Sequence, residues 1–424
     1  MSKLQGSNLS KERPLFEAVM KEIIVIGGGI IGLCSAYYLR KEGHRVTVID
    51  QSNLDEGASY VNAGYISPSH IIPLSAPGVV RKGLQWMFDP SSPFYVKPRM
   101  DLEFLKWAWA FNKSCNERHV EKSIRVIRDI SLLSEDLYKD LSKDPRFDFH
   151  FEKKGILMIC QTEKMLEEEV RVANMARNIG LEVNELNEEE LKGLENRTSL
   201  DAIGATHYLC DSHTTPHEFM QNMKRTLEEE GVVILKNEQI TDLKLQKGRI
   251  DKVLAGEKEY KADEFVLAAG SWTPLVCKKI GINMLLQAGK GYRINCFRPT
   301  GIQYPAMLTE AKAAVTPMNG FTRFAGTMEI AGISKNVNTV RVNAIAAAAT
   351  RYYPDVELTE EEKRDASSGL RPVTPDGLPN IGRSSKCDNL TISTGQAIMG
   401  CSMATGTRKL VSECIAGQRL AIDS

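Results

Sequence analysis

Long apolar runs are missing from this 424-residue chain. No window approaches the roughly 18 uninterrupted apolar residues that a membrane-spanning helix requires, so any contact with a bilayer is expected to be peripheral. An excess of charge is missing as well. The 54 basic residues balance 54 acidic ones, which leaves no overall field to draw nucleic acid and makes small ligands the expected partners. The nine cysteines are odd in number and contain no C-x-x-C pair. That pattern argues against a disulfide framework or a cysteine zinc site and fits reduced thiols in a cytosol, and no metal site is expected. The first 19 residues, "MSKLQGSNLSKERPLFEAV", have neither the apolar core of a signal peptide nor an Arg-rich amphipathic pattern. They precede a second potential start at Met20 and read as an N-terminal extension or expression scar.

What is present is enough apolar material, 42% of residues, to bury a sizeable core. The length corresponds to about two to three domains. The most informative stretch is "IIVIGGGIIGLCSAYYLRKEGHRVTVID", residues 23 to 50. Ile23 to Ile26 form a β-branched run suited to a strand buried on both faces. Gly27, Gly29 and Gly32 then give G-x-G-x-x-G, whose glycines permit a tight turn, approach of backbone to a pyrophosphate, and close helix-to-strand packing. The following helix aims its N-terminal amides at phosphates and ends at Gly43. "RVTVID" is the second strand, and Asp50 lies 18 residues past Gly32, near the spacing of about 20 expected for a ribose-binding acid. An acid there favours a free ribose hydroxyl over a 2′-phosphate, leaving FAD or NAD.

A nicotinamide enzyme would normally continue with further βαβ repeats, and this chain does not. It continues with "GASYVNAGYISPS", Gly57 to Ser69, a loop of small residues able to lie against a planar ligand. Residues 71–130 carry Trp86, Trp107 and Trp109 on helix-spaced apolar stripes, read as core packing in preference to a membrane-docking face. Residues 134–194 are charged and helix-forming around the strand "GILMIC". A helix is expected from Pro216 to Gly231, followed by paired strands at "VVIL" and "ITDLKL". "EFVLAAGSW" reads as a buried strand running into a glycine turn, and residues 286–350 as the sheet of a second domain followed by an alanine-rich helix. "NLTIST", a glycine loop and a closing helix complete the chain.

These pieces, in this order, resemble the flavin-dependent D-amino-acid oxidase and dehydrogenase superfamily, which includes glycine and sarcosine oxidases, and within it most resemble the bacterial D-amino-acid dehydrogenase branch. The likeness runs from Met20 through "NAGYISPS", "APGVVRKGLQWMFDPSSPF", "KGYRI", "AGTMEIAGI" and "GLRPVTPDGLPNIG". It implies an α/β fold: a Rossmann-like FAD-binding domain from residues 20–70, 200–285 and 365–424, with an inserted α+β substrate domain from 71–199 and 286–364 carrying an antiparallel sheet. Carried over by motif, Gly27, Gly29, Ile30, Gly32, Asp50 and Gln51 would hold pyrophosphate and ribose, and Ser59, Asn62, Ala63, Gly64 and Ile66 would line the flavin. Ile240 would meet the adenine, Ala269, Gly270 and Trp272 the dinucleotide, and Met399, Gly400, Cys401 and Ser402 the pyrimidine edge of the ring.

Arg371 resembles the arginine that grips the substrate carboxylate in this superfamily, and its planar fork suits bidentate pairing with that group. Tyr292 is a candidate second carboxylate contact. His70, with His213 and His217, is a candidate for a polar pocket suited to a hydroxylated ring such as cis-4-hydroxy-D-proline. The resemblance implies oxidation of an amino acid by hydride transfer from Cα to flavin N5, giving an imino acid and then a 2-oxo acid. The amine must be neutral first, so the rate should rise with pH. Relatives with covalent flavin carry a cysteine where this chain has Ser367, Ser368 and Gly369, so dissociable FAD is expected. Electrons would pass to a quinone, a carrier protein or oxygen. The alternatives are a glycine or sarcosine-type oxidase using oxygen and a non-catalytic flavin-binding protein. A cytoplasmic location follows, with peripheral association at the inner face of the membrane as its variant.

Overall fold

The computed structural model describes residues 20–86, 92–97 and 99–422, without the side chains of residues 82 and 84–86. The expectation for the Trp86 side chain therefore lies outside what is described, as does the whole N-terminal extension, residues 1–19.

A six-stranded sheet organises the cofactor side. Its order runs Val233–Leu235, Arg45–Ile49, Glu22–Ile26, Glu264–Leu267, Leu390–Thr394, Asn380–Arg383. All neighbours are parallel except the last pair. Ile23 to Ile26 sit between Val46–Ile49 and Glu264–Leu267 and are buried on both faces, which is why this run lacks alternation. The Ile30–Lys41 helix crosses one face and packs against the Gly400–Ile415 helix. The latter also lies on the Glu117–Leu141 helix, where Gly406 lets the backbones approach: a Cβ there would stand 2.6 Å from the Ile130 carbonyl oxygen.

The second sheet has nine strands of mixed, mainly antiparallel, orientation. Its main path is Ser367–Val373, Gln287–Cys296, Phe321–Ile330, Ala313–Met318, Ala306–Leu308, Ile156–Cys160, Gly204–Tyr208, Val183–Asn187. Phe94–Val96 adds in parallel to the distal end of Phe321–Ile330. The Thr339–Tyr352 helix covers one face with its alanine-rich side. Small antiparallel pieces, Tyr65–Ile66, Ser212–Thr214 and Phe151–Glu152, form a three-stranded sheet.

Several boundaries differ from the sequence reading. Gly204–Tyr208 and Ser367–Val373 belong to the second sheet, although both fall in segments assigned to the FAD side. "VVIL" and "ITDLKL" do not pair with each other. Val233–Leu235 extends the parallel sheet beside Thr47–Ile49, then Asn237 adopts a left-handed φ of 57° and the chain departs to a separate sheet with Arg249–Ala255. The apolar stripe of Leu102–Ser114 also divides. Trp107 is buried between Phe104 and Phe111, whereas Trp109, two residues and therefore about 200° further round the helix, is 69% exposed.

Candidate functional site

A cleft of about 1160 Å³ opens at the carboxyl ends of the parallel strands, between the two large sheets. Ligands of open α/β sheets bind at such a place. At one end the first strand turns at Gly27, whose φ of 106° and whose virtual Cβ, 2.4 Å from the Ala268 carbonyl oxygen, exclude any side chain. Gly32 packs still closer, with a virtual Cβ 1.8 Å from the Gly27 carbonyl oxygen, so it seats the helix on the turn and stays out of the cleft wall. Gly29 precedes the helix as its cap, and the Ile30 amide donates to Ser59 Oγ at 2.9 Å.

Asp50 is oriented by its own neighbours. Oδ2 accepts from the Gly28 amide at 2.7 Å, and Oδ1 accepts from the Ser52 amide and hydroxyl at 2.7 and 2.6 Å. The carboxylate thus faces the cleft in a fixed pose beside Gln51. Ile240, Ala269, Gly270 and Trp272 line the same region, and Ser59, Asn62, Gly400 and Cys401 continue the wall toward the second sheet. Burial pushes the Cys401 thiol up to about 12, so it stays protonated and poorly nucleophilic.

The loop from Gly57 to Gly64 is tied to the second sheet by side chains that sequence reasoning did not single out. Arg323, buried, donates through Nη1 to the Tyr60 and Asn62 carbonyls at 2.9 and 2.6 Å and through Nε to Asn295 Oδ1 at 3.0 Å. Burial, reinforced by Arg293, lowers its pKa to about 9. Thr316 Oγ1 donates to the Ala63 carbonyl at 2.6 Å, and the Tyr65 hydroxyl to Ala306 O at 2.5 Å. Arg323 stands inside a segment read as part of the second domain's sheet, but nothing local in the sequence indicated its target.

Arg371 reaches the cleft from the edge strand of the second sheet. Its guanidinium lies across Gly291 of the adjacent strand, where a Cβ would stand 2.3 Å from Nη2. Nη1 donates to the Thr327 carbonyl at 2.7 Å, which among the described residues is its one side-chain hydrogen bond. Thr327 has a φ of 69°, a strained conformation for a β-branched residue, and sits in a β-bulge opposite Gly291. No carboxylate of the described residues pairs with Arg371, and burial draws its pKa down only to about 10, so it is cationic at neutral pH. Gly369, on the same strand, lets the Gly57–Gly64 loop pass: a Cβ would stand 2.4 Å from Val61 Cγ2.

The other predicted residues serve from behind the wall. Gly64, with φ of 82°, packs against the Thr214 carbonyl, and Ile66 is fully buried. Ser402 Oγ donates to the Tyr65 carbonyl at 2.9 Å, and Met399 joins an apolar cluster with Ile127 and Ile130. Tyr292 is not brought to the cleft. Its hydroxyl donates to Glu329 Oε2 at 2.6 Å, inside a buried group with Lys290 and Arg341, and burial followed by that carboxylate holds the phenol well above its ordinary pKa. His70 is exposed and outside the cleft wall. His213 is buried in the three-stranded sheet and His217 leans on Phe321, so the histidine pocket for a hydroxylated ring is not formed.

These residues fit a dinucleotide. The glycine turn would be closed by any Cβ, Asp50 is fixed for a diol, and Ser393 Oγ and Gln396 Nε2, both buried and without partners among the described residues, stand on the cleft wall. Asp50, Gln51 and the Gly27–Ile30 turn would hold its sugar and phosphates, and Asn62, Gly400 and Cys401 its far end.

Comparison with known proteins agrees. The family model for FAD-dependent oxidoreductases called DAO matches residues 22–414. D-amino acid dehydrogenases from Granulibacter bethesdensis and Vibrio atlanticus are 28% and 29% identical to this chain. The first alignment covers 95% of this chain and 97% of the relative, and the second covers 95% and 98%. Among solved structures, glycine oxidase from Geobacillus kaustophilus superposes with a TM-score of 0.76 at 18% identity, covering 95% of this chain and 96% of that one. L-proline dehydrogenase from P. horikoshii gives 0.73 at 18% identity, covering 95% of each. The chain is a member of the DAO family of FAD-dependent oxidoreductases.

Proposed function

We propose that the chain oxidises a free D-amino acid, with Arg371 as the anchor for the substrate carboxylate. The observation that carries this reading is a guanidinium on the cleft wall that pairs with no carboxylate of the described residues. A cation partly withdrawn from water needs an anion, and Nε and Nη2 remain for bidentate pairing once Nη1 is committed to Thr327. The names of the D-amino acid dehydrogenases that resemble it over nearly their whole length support the same substrate class. FAD supplies a two-electron acceptor when bound, and the product imine hydrolyses in water to a 2-oxo acid. The chain's task is placement: Thr327 and Gly291 set the guanidinium, and the Gly57–Gly64 loop, braced by Arg323, shapes the adjoining wall. No side chain on the wall is required as a strong base if the substrate amine arrives neutral, which makes the rate rise with pH.

FAD is held without a covalent bond in this reading, because Ser367 and Ser368 offer no thiol and Cys401 stays protonated. The acceptor is a membrane quinone reached from the cytoplasmic side. Met100, Leu102, Leu105 and Trp109 form an exposed apolar stripe, with Lys113 beside Trp109, suited to peripheral docking. The nine cysteines are all free, in keeping with a reducing compartment. An anaerobic panel of D- and L-amino acids, glycine, sarcosine and the hydroxyproline stereoisomers, read as flavin bleaching, tests the substrate class. Bleaching by D-amino acids supports it, and bleaching only by glycine, sarcosine or L-isomers overturns it. Timed reoxidation by air against a quinone analogue tests the acceptor, with fast air reoxidation identifying an oxidase.

A further inference from the structure

The sequence suggested no metal site, yet strand pairing brings three potential ligands together away from the cleft wall. We propose that His150, Glu152 and His213 bind a divalent first-row cation, zinc foremost, as a two-histidine, one-carboxylate set. Residues two apart on an extended segment share a face, and Glu152 is the direct cross-strand partner of His213. His150, Glu152 and His213 therefore project to one side of the small sheet. His150 Nε2 lies 3.6 Å from Glu152 Oε1, and His213 Nε2 lies 3.8 Å from Glu152 Oε2. One ligand atom from each residue falls within 4.8 Å of the others. Ligands about 2.0–2.2 Å from a tetrahedral zinc stand roughly 3.3–3.6 Å apart, so small side-chain rotations close the site.

Two features distinguish this cluster from an ordinary packed pair of histidines. His213 is fully buried, and neither ring nitrogen makes a hydrogen bond among the described residues; its polar surroundings are His150, Glu152, Lys154 and, weakly, the backbone of Pro317. A buried imidazole whose nitrogens are so weakly satisfied is costly unless something binds it. His150 is already oriented, its Nδ1 set 3.1 Å from Thr215 Oγ1 so that Nε2 is presented, the arrangement outer partners impose on metal-binding histidines. Glu152 is 38% exposed, which leaves an approach and a fourth position for water. Lys154 Nζ, 2.6 Å from Glu152 Oε2, competes for the carboxylate and is itself 43% exposed, free to withdraw. The third strand of this sheet carries Tyr65, opposite His213, at the end of the loop that lines the cleft. A bound ion would brace that loop.

The test uses tag-free, FAD-loaded protein treated with a chelator and passed through gel filtration. Zinc content is read by mass spectrometry and affinity by competition with a chromophoric chelator. One zinc per chain at about micromolar affinity or tighter is expected, with a rise of several degrees in unfolding temperature and no response to magnesium or calcium. His213→Asn and Glu152→Gln should each weaken binding beyond the roughly 10- to 100-fold that loss of an outer partner costs. Lys154→Met should tighten it several-fold. Flavin absorbance and circular dichroism report folding, and the partly exposed Glu152→Gln carries the test if His213→Asn does not fold. Fewer than one zinc bound per wild-type chain, or an affinity that Glu152→Gln leaves unchanged, overturns the proposal.

Discussion

At the scale of single residues, the Arg371 site makes the sharpest demands. Arg371→Lys keeps the charge but loses the planar fork, and it should weaken binding of carboxylate substrates by about 2–5 kcal/mol, roughly 30- to 5000-fold, while flavin stays bound. Gly291→Ala puts a methyl where the guanidinium lies, 2.3 Å from Nη2. It should raise KM at least about tenfold, roughly 1.4 kcal/mol, with the flavin spectrum intact. Steady-state kinetics on both variants check this, and an unchanged KM in either removes Arg371 from the proposed role. Glu195 offers a test of stability. Burial raises its pKa from 4.5 to about 7, although the Gln303 and Tyr304 amides that donate to it pull the other way. The folded state then holds a proton that the unfolded state has released, so this residue's contribution to stability falls as pH rises from about 4.5 to 7. Glu195→Gln keeps an acceptor for both amides and should be as stable as the wild type or up to a few kcal/mol more stable at pH 8. Thermal midpoints at pH 5 and pH 8 decide it: a variant markedly less stable at pH 8 would show that the ionised form is the favourable one.

What could be read at this scale followed from backbone constraint. Gly27 and Gly32 were legible because a turn that tight admits no Cβ, and Asp50 because its distance along the chain is set by one helix and one strand. Tyr292 misled for the converse reason. Gly291 faces the guanidinium, so alternation alone turns its neighbour to the opposite face, where Glu329 takes its hydroxyl. Proximity in sequence to a site residue says little until the face is known.

At the scale of elements, the loop from Gly57 to Gly64 forms neither helix nor strand and depends on its braces. Arg323→Met removes the donors that hold the Tyr60 and Asn62 carbonyls. It should destabilise by about 1–3 kcal/mol for the carbonyls left unpaired and weaken FAD binding more than substrate binding. Flavin fluorescence on dilution measures the first effect and KM the second. If flavin retention is unaffected, the brace is a packing detail. The first two parallel strands, the Pro216 helix and the alanine-rich helix were legible from β-branched runs, helix-end residues and composition. The pairing of Val233–Leu235, the placement of Gly204–Tyr208 and the braces themselves were not, because each depends on a partner distant in sequence.

For the whole molecule, a cofactor held by several separated segments without a covalent bond should report on the integrity of all of them. Acid precipitation should release yellow chromophore into the supernatant, and colour that remains with the pellet would contradict dissociable FAD. The apoprotein should unfold at a lower temperature than the loaded form, with the gap widening as free FAD is raised above its dissociation constant.

The Glu22–Ile26 strand pairs with Glu264–Leu267, which in turn pairs with Leu390–Thr394. During synthesis, therefore, the nucleotide turn and its first neighbour Arg45–Ile49 are made long before Glu264–Leu267 and Leu390–Thr394, and the sheet cannot be completed until residue 394 has left the ribosome. Topologies with such long-range closure fold slowly and expose unpaired strand edges while they wait. Yield of active protein should accordingly respond to slower translation, lower growth temperature and chaperone supply more than to any surface substitution.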